Sequence, residues 1–353
     1  MGKFSIIAFG AMMILISTPV EIQGEDLETA WEKYQIEFPM AFETNSKPQL
    51  VLRKSIFAKT HARIEEHNAK VDANFQMAHN IFSVMTEGEK KYYFGARLPV
   101  PPSNLTRSPS SVIKPASNID YRNDRCMPPV RDQGGCGSCW AHTATAVVEF
   151  NKCKKSGGNA IDLSEQQLVE CSAESGGCIG GWEHEAWQYL ASCGGQTFES
   201  SYPYTASDGA NCRFNTKDMT IGAKLSTLNY VEWVPEKDIS TMMSILSSGR
   251  ILTVYILLPD SFMNYKSGIF DDTKCNNGNA HALNPVGYGT LNGVDYWDFC
   301  ANKSNGNYAN PAECKSYISC SNGMAYKMNC PFGLVYHEKY DTCDYSSAVP
   351  GCM

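Results

Sequence analysis

The sequence predicts an α+β chain built as consecutive units: a helical segment, a larger cysteine-containing domain, and a small terminal β module held by disulfides. Three observations predict it. Helical periodicity without a cysteine runs through residues 25–94, all fifteen cysteines lie beyond residue 125, and six of them crowd into Cys300–Cys352. At 353 residues the chain has room for two or three domains, and 43% apolar with 19% charged residues leaves material for buried cores. A formal charge of −7 without a Lys/Arg cluster lacks the electrostatic footprint of a nucleic-acid binder.

The N-terminus carries Lys3, an apolar run from Phe4 to Ile16, and a small, polar stretch ending near Gly24, which is the layout of a secretory signal over residues 1–24. The run is too short to span a bilayer, and no other stretch approaches the roughly 18 apolar residues a membrane helix needs. The mature chain is therefore expected in solution, with no membrane partner. Its route is oxidising, so disulfides are expected, and an odd cysteine count leaves at least one thiol reactive or shared between molecules.

Residues 25–95 read as two or three helices, with Trp31, Tyr34 and Phe38, then Ile56, Phe57 and Ile64, at helical spacing. Residues 96–112 are rich in Pro and Ser and read as an exposed linker open to cleavage, with Asn104-Leu105-Thr106 as a glycosylation acceptor. Cysteine density changes suggest boundaries near 117 and 299, and the next units are taken as 113–297 and 298–353, the first being the span of the resemblance described below.

The most informative stretch is Gln133-Gly-Gly-Cys136-Gly-Ser-Cys139-Trp140-Ala141, followed by a helical pattern in Trp140, Ala144, Val147 and Val148. A cysteine that opens a helix meets unpaired N–H groups and the positive end of the dipole, both of which favour the thiolate. Cys139 is thus an activated nucleophile on chemical grounds. The stretch resembles the signature of papain-like, cathepsin L type cysteine proteases. So do Asp120-Tyr121-Arg122, Leu163-Ser164-Glu165-Gln166, Gly177-Cys178-Ile179-Gly180-Gly181, Ser201-Tyr202-Pro203-Tyr204 and Asn279-Ala280-His281-Ala282-Leu283-Asn284-Pro285.

The resemblance implies a two-lobed α+β domain that hydrolyses peptide bonds through an acyl-enzyme at Cys139. His281 would hold the thiolate as an ion pair and protonate the leaving amine. Gln133, with the Cys139 N–H, would stabilise the oxyanion. Gly180 and Gly181 would pair with substrate backbone, and Trp182 and Val254 would line the pocket for the residue before the scissile one. The implied bridges are Cys136–Cys178 and Cys171–Cys212, leaving Cys126, Cys153, Cys193 and Cys275 open. No cofactor is implied. His184-Glu185 lacks the second histidine of a zinc helix because Gln188 stands there, and no other histidine has metal-ligand spacing, so no metal is expected. His142 reads as a packed helix residue rather than a second base.

The segment 25–95 resembles the inhibitory propeptide of the same family through Lys54, Phe57, Ile64, Asn68, Asn80 and Phe82, with Thr60 and Val84 in place of the usual Asn and Asp. The chain's own propeptide is thus an expected partner. From Cys300 onward, six cysteines interleaved with Tyr317, Tyr326, Phe332, Tyr336 and Tyr345 resemble the peritrophin-A type chitin-binding module. That resemblance implies contact of Tyr317, Tyr326, Phe332 and Tyr336 with chitin and pairing of Cys300–Cys320, Cys314–Cys352 and Cys330–Cys343. After Tyr296-Trp297 the family continues with an Asn-Ser-Trp segment that orients the histidine. Here Asp298-Phe299-Cys300 follows instead, so the C-terminal lobe reads as truncated. Two readings stay open: a secreted or lysosomal endopeptidase directed to chitin, and an impaired papain-like scaffold acting as a chitin-binding protein.

Overall fold

The structure, a computed structural model, describes residues 26–39, 46–96, 114–209, 211–225, 233–235, 238–274, 279–291 and 294–298. It also describes the strands of the C-terminal segment and residues 330 and 349. The expected signal at 1–24, the glycosylation acceptor Asn104, nearly all of the 96–112 linker, and Cys275 lie outside them.

The N-terminal segment opens with α1 (Leu27–Glu37), capped by Asp26, whose carboxylate accepts from the Thr29 N–H at 3.2 Å. Its apolar face, Ala30, Trp31 and Tyr34, packs on Phe57 of α2 (Lys47–Asn68), with both aromatic centroids 5.0 Å from the Phe57 ring. Lys54, expected in the helix motif, instead faces solvent and pairs with exposed Glu28 at 2.6 Å. Its neighbour Arg53 takes the inward position, reaching the Glu89 carboxylate and the Val84 carbonyl. One residue is a 100° turn on a helix, which moves a side chain from one face to another.

After α2 come β1 (Phe75–Met77), a tight turn at Ile81–Val84, and α3 (Glu87–Lys90). Then follow β2 (Ile119–Asp120), α4 (Cys139–Ser156), α5 (Glu165–Cys171), α6 (Glu183–Cys193), β3 (Gln196–Thr197), β4 (Ile221–Ala223) and α7 (Ile239–Ser247). The domain continues with β5 (Val254–Leu258), β6 (Tyr265–Gly268), β7 (Asn279–Leu283), β8 (Gly287–Leu291) and β9 (Val294–Asp298). β1 pairs antiparallel with β6, and Ile64, Phe75 and Met77 pack with Tyr265 and Phe270. The helical segment is thereby joined to the domain by both backbone pairing and apolar contact.

α4 is the pivot of the domain. Its first half gives Trp140, Ala141 and Ala144 to a cluster with Leu168, Ala186 and Leu190 from α5 and α6. Its second half gives Phe150 and Cys153 to a cluster with Leu246, Ile251, Val286 and Tyr288 from the strand-rich side. On that side β5 pairs with β7, and β8 lies between β2 and β9. Disulfides join Cys136 to Cys178, Cys171 to Cys212, and Cys126 to Cys153, a pair that the sequence left open; Cys193 remains a thiol.

The C-terminal segment contains β10 (Gly306–Ala309), β11 (Ser316–Ser321) and β12 (Met324–Asn329) in one antiparallel ladder, and β13 (Leu334–His337) with β14 (Thr342–Tyr345) in another. Cys330 is bonded to Cys343. Cys300, Cys314, Cys352 and Phe332 lie outside the described residues.

A buried ion cluster fixes α4 against α5. Arg131 reaches Glu149 at 2.8 Å, Asp162 at 2.6 Å and Glu165 at 2.9 Å, and both glutamates are fully buried. Burial pushes the Glu149 carboxyl up to about 7. Burial opposes ionisation of Glu165 as well, but the neighbouring His142 and Arg131 hold its carboxyl below the usual range. Removing one partner of such a group leaves uncompensated buried charge. Arg131→Met is therefore expected to cost about 3–5 kcal/mol in denaturant unfolding of the precursor; a loss below about 1 kcal/mol, the range of a surface pair, would contradict the role given to this cluster.

Candidate active site

Cys139 is the first residue of α4, and its surroundings are fixed from three sides. The preceding loop is held by the Cys136–Cys178 bridge and by the Gly137 N–H donating to the Cys178 carbonyl at 2.9 Å. The Trp140 indole donates to the Gly177 carbonyl at 3.1 Å and pins the Gly177–Gly181 loop beside the helix start. From the other side β7 docks on α4. Asn284 donates to the Thr143 carbonyl at 3.3 Å and the Leu252 carbonyl at 3.1 Å, and the Ala282 N–H points at the Cys139 sulfur.

His281 precedes Ala282 on β7, opposite Ile256 of β5, and is half-buried at this junction. Its Nδ1 has no hydrogen-bond partner among the described residues. Gly180 and Gly181 line the junction from the loop, and Trp182 caps α6 with its ring 6.1 Å from His184. Val254 opens β5, paired with Leu283 two residues beyond His281.

A peptide already crosses this junction: residues 93–96, at the end of the helical segment. Gln133 donates through Nε2 to the Tyr93 carbonyl at 2.8 Å and to the Cys136 carbonyl at 2.9 Å. Phe94 meets the His281 ring edge-on at 6.2 Å. The Gly95 N–H points at the Cys139 sulfur, the Gly181 N–H donates to the Gly95 carbonyl at 3.1 Å, and Ala96 pairs parallel with Gly181. Gly95 comes so close that a Cβ there would lie 1.6 Å from the Gly137 carbonyl oxygen, so only a residue without a side chain fits.

In the covered site both groups shift against the charge state expected from the sequence. Burial pushes the Cys139 thiol up to about 11, against the amides of Ala282 and Gly95 that would favour the thiolate. Burial brings His281 down to about 4, assisted by the positive field of His142. Desolvation thus opposes the thiolate–imidazolium pair in the covered site, working against the helix start at Cys139 and against the proton on His281.

Three further residues shape the site, and of these only Glu183 was not singled out in the sequence. Tyr204 ties the loop to the nucleophile's cap, its hydroxyl 2.5 Å from Ser138 Oγ and 2.7 Å from the Gln133 carbonyl. His142 packs edge-on against Tyr204 at 4.8 Å and stands 3.5 Å from Glu165, a helix residue in an ion cluster rather than a base at the sulfur. Glu183, next to Trp182, accepts the Thr143 hydroxyl at 2.7 Å, and burial pushes its carboxyl up to about 8. A glycine beside a proline-rich linker was the one sequence signal that could have pointed to Gly95.

The geometry has counterparts in known proteins. Residues 115–330 match the model of the papain family of cysteine proteases, and residues 31–89 match that of the cathepsin propeptide inhibitor domain. The family match thus runs beyond Trp297, where the sequence reading closes the domain. Digestive cysteine proteinase 2 of Homarus americanus is 34% identical over 258 residues, covering 69% of this chain and 76% of that protein. Cathepsin S of Mus musculus is 34% identical over 266 residues, covering 72% and 76%. The solved structure of digestive procathepsin L2 proteinase from Tenebrio molitor larval midgut superposes with a TM-score of 0.69 at 26% identity, covering 87% of this chain and 95% of that one. With the covered Cys139–His281 junction, these matches lead to one conclusion: the chain belongs to the papain family of cysteine proteases, and its N-terminal segment is a cathepsin propeptide inhibitor domain.

Proposed function

We propose that this chain is the precursor of a secreted cysteine endopeptidase whose propeptide blocks the substrate cleft, and that its C-terminal segment directs it to chitin. The observation that carries the catalytic part is the peptide backbone of residues 93–96, held by the groups assigned to substrate: Gln133 on a carbonyl and Gly181 on a backbone oxygen. Once that segment leaves, water and substrate replace it. Cys139 regains thiolate character from its helix start and from His281, and its sulfur attacks the scissile carbonyl. Gln133 Nε2 and the Cys139 N–H stabilise the oxyanion, and His281 gives its proton to the leaving amine. Water then releases the acid and restores the thiol.

The orientation of His281 is the weak point. The family's asparagine has no assigned counterpart here, and Nδ1 of the imidazole lacks a partner among the described residues. Loss of the orienting group in the analogous serine triad costs about 10⁴ in turnover. The 353-residue form is therefore expected to hydrolyse a peptide substrate at least about a hundredfold more slowly than a form with the Asn-Ser-Trp segment restored. Both rates should vanish in Cys139→Ala. Equal, Cys139-dependent rates would contradict the importance of the segment; no activity in the restored form would instead favour the scaffold reading.

Chitin binding draws on the terminal ladder. β11 and β12 pair Ser319 with Tyr326 and Tyr317 with Met328, so positions 317 and 326 fall on one face of the ladder. Aromatic residues at such positions suit the apolar face of a sugar polymer. The oxidised precursor is expected to be retained on chitin beads. Tyr317→Ala with Tyr326→Ala should lower retention by about tenfold, roughly the 1.4 kcal/mol of one aromatic contact. Retention unchanged by the double substitution, or none in the parent, would remove chitin from the reading.

A further inference from the structure

Behind the nucleophile lies a carboxyl that the proposed reaction does not use. Glu183 is the first residue of α6, 2% exposed, and its side chain turns toward the first turn of α4 rather than to solvent. Oε1 accepts the Thr143 hydroxyl at 2.7 Å, and the same hydroxyl oxygen stands 2.9 Å from the Cys139 carbonyl. One side chain therefore separates this carboxyl from the nucleophile's own residue. Thr143 is also held from the other side, where its carbonyl accepts from Asn284, just past β7, at 3.3 Å.

An ionised carboxylate offers about four lone-pair sites and, when buried, needs donors or a cation to fill them. Glu183 has the Thr143 hydroxyl and its own backbone N–H. Its Oε2 is buried without a hydrogen-bond partner, and no cation pairs with the group, among the described residues. A buried charge so poorly met costs far more than a neutral acid, so the proton stays on Oε2. Burial pushes the carboxyl up to about 8, in the same direction.

We propose that Glu183 is a positioning residue of the nucleophile's turn, and that its carboxyl must stay protonated for Cys139 to ionise readily. Protonated, it holds Thr143 and the start of α4 while adding no charge. Once Oε2 gives its proton to solvent, a desolvated anion lies within charge range of the sulfur and disfavours the thiolate. The junction thus carries one negative charge with ease, on the thiolate or on the carboxylate, and resists carrying both. The sign follows from this competition. A neutral side chain in place of Glu183 lowers the pH at which the thiol ionises, and does so where the parent's carboxyl has lost its proton.

The titratable groups on the elements that meet here are few. From α4, Cys139 lies within charge range of Glu183, while His142, next to Thr143, stands 3.5 Å from Glu165. From β7 comes half-buried His281, which burial brings down to about 4. On α6 itself His184 follows, its imidazole held below the usual range by burial, and Glu185 accepts the Ser175 hydroxyl at 3.2 Å. Comparison of two chains that share all of these isolates Glu183.

The proposal rests on Cys139 as the nucleophile of the proposed reaction, and its test reads ionisation rather than turnover, so the two can fail separately. The full precursor and its Glu183→Gln variant are alkylated from pH 6.5 to 9.5. Modification at Cys139 is followed by mass spectrometry, because Cys193 is also a thiol. The ratio of variant to parent rate should rise at least about threefold across that range, which corresponds to about half a pH unit in the thiol midpoint. Easier access or a loosened turn would multiply the rate by the same factor at every pH, so the rise isolates the charge. A ratio that stays flat or falls would overturn the proposal. Should Glu183→Gln fail to fold, the side-chain carboxyl carbon of Glu183 in the parent decides at pH 6.5: the resonance of a protonated acid is expected, and that of a carboxylate would overturn the assignment.

Discussion

The approach of Gly95 to Gly137 over the nucleophile is the constraint on which the rest of the precursor depends. A bare backbone passes where a Cβ would lie 1.6 Å from a carbonyl oxygen, beside a buried Cys139. Both groups respond in the direction that burial dictates: the thiol is harder to ionise and the imidazole harder to protonate. Desolvation of the pair thus accompanies the steric cover. The propeptide occupies the donors on Gln133 and Gly181, and burial there works against charge on Cys139 and His281.

Holding a backbone segment at that distance requires rigid walls. α4 supplies one by contributing to two apolar clusters at once, with the Arg131 cluster fixing its flank. β7 supplies the other through Asn284 and the β5 ladder. The propeptide is anchored some distance from the cleft, by β1 on β6 and by Asn80 donating to the Met263 carbonyl at 2.7 Å. Anchor and cover are separate, joined along the chain by the Ile81–Val84 turn and α3.

What was legible in the sequence is what local chemistry encodes. The helix that opens at Cys139 was readable because its small neighbours and the following helical pattern are contiguous. The fold class and the propeptide were readable for the same reason, since helical periodicity and cysteine spacing survive in one dimension. Tertiary closeness was not readable. Nothing local distinguishes Gly95 from a loop glycine, and the Cys126–Cys153 pair depends on how α4 lies against residues 119–127. The exchange of roles between Lys54 and Arg53 shows the finer limit: composition places a cation on the helix, and only packing decides which of two neighbours turns inward. Desolvation is the most global of these effects, which is why burial pushes up the thiol that a helix start was expected to ionise.

Alkylation of Cys139 as a function of pH, in the full precursor and in its Gly95→Val variant, tests the electrostatic account most directly. The parent should react slowly, its rate rising only well into the alkaline range as a thiol shifted to about 11 ionises. Gly95→Val, which cannot make the close approach, should react faster and titrate at lower pH. Identical profiles for the two chains, or a parent thiol already fully reactive near pH 7, would contradict the claim that residues 93–96 hold the catalytic pair neutral.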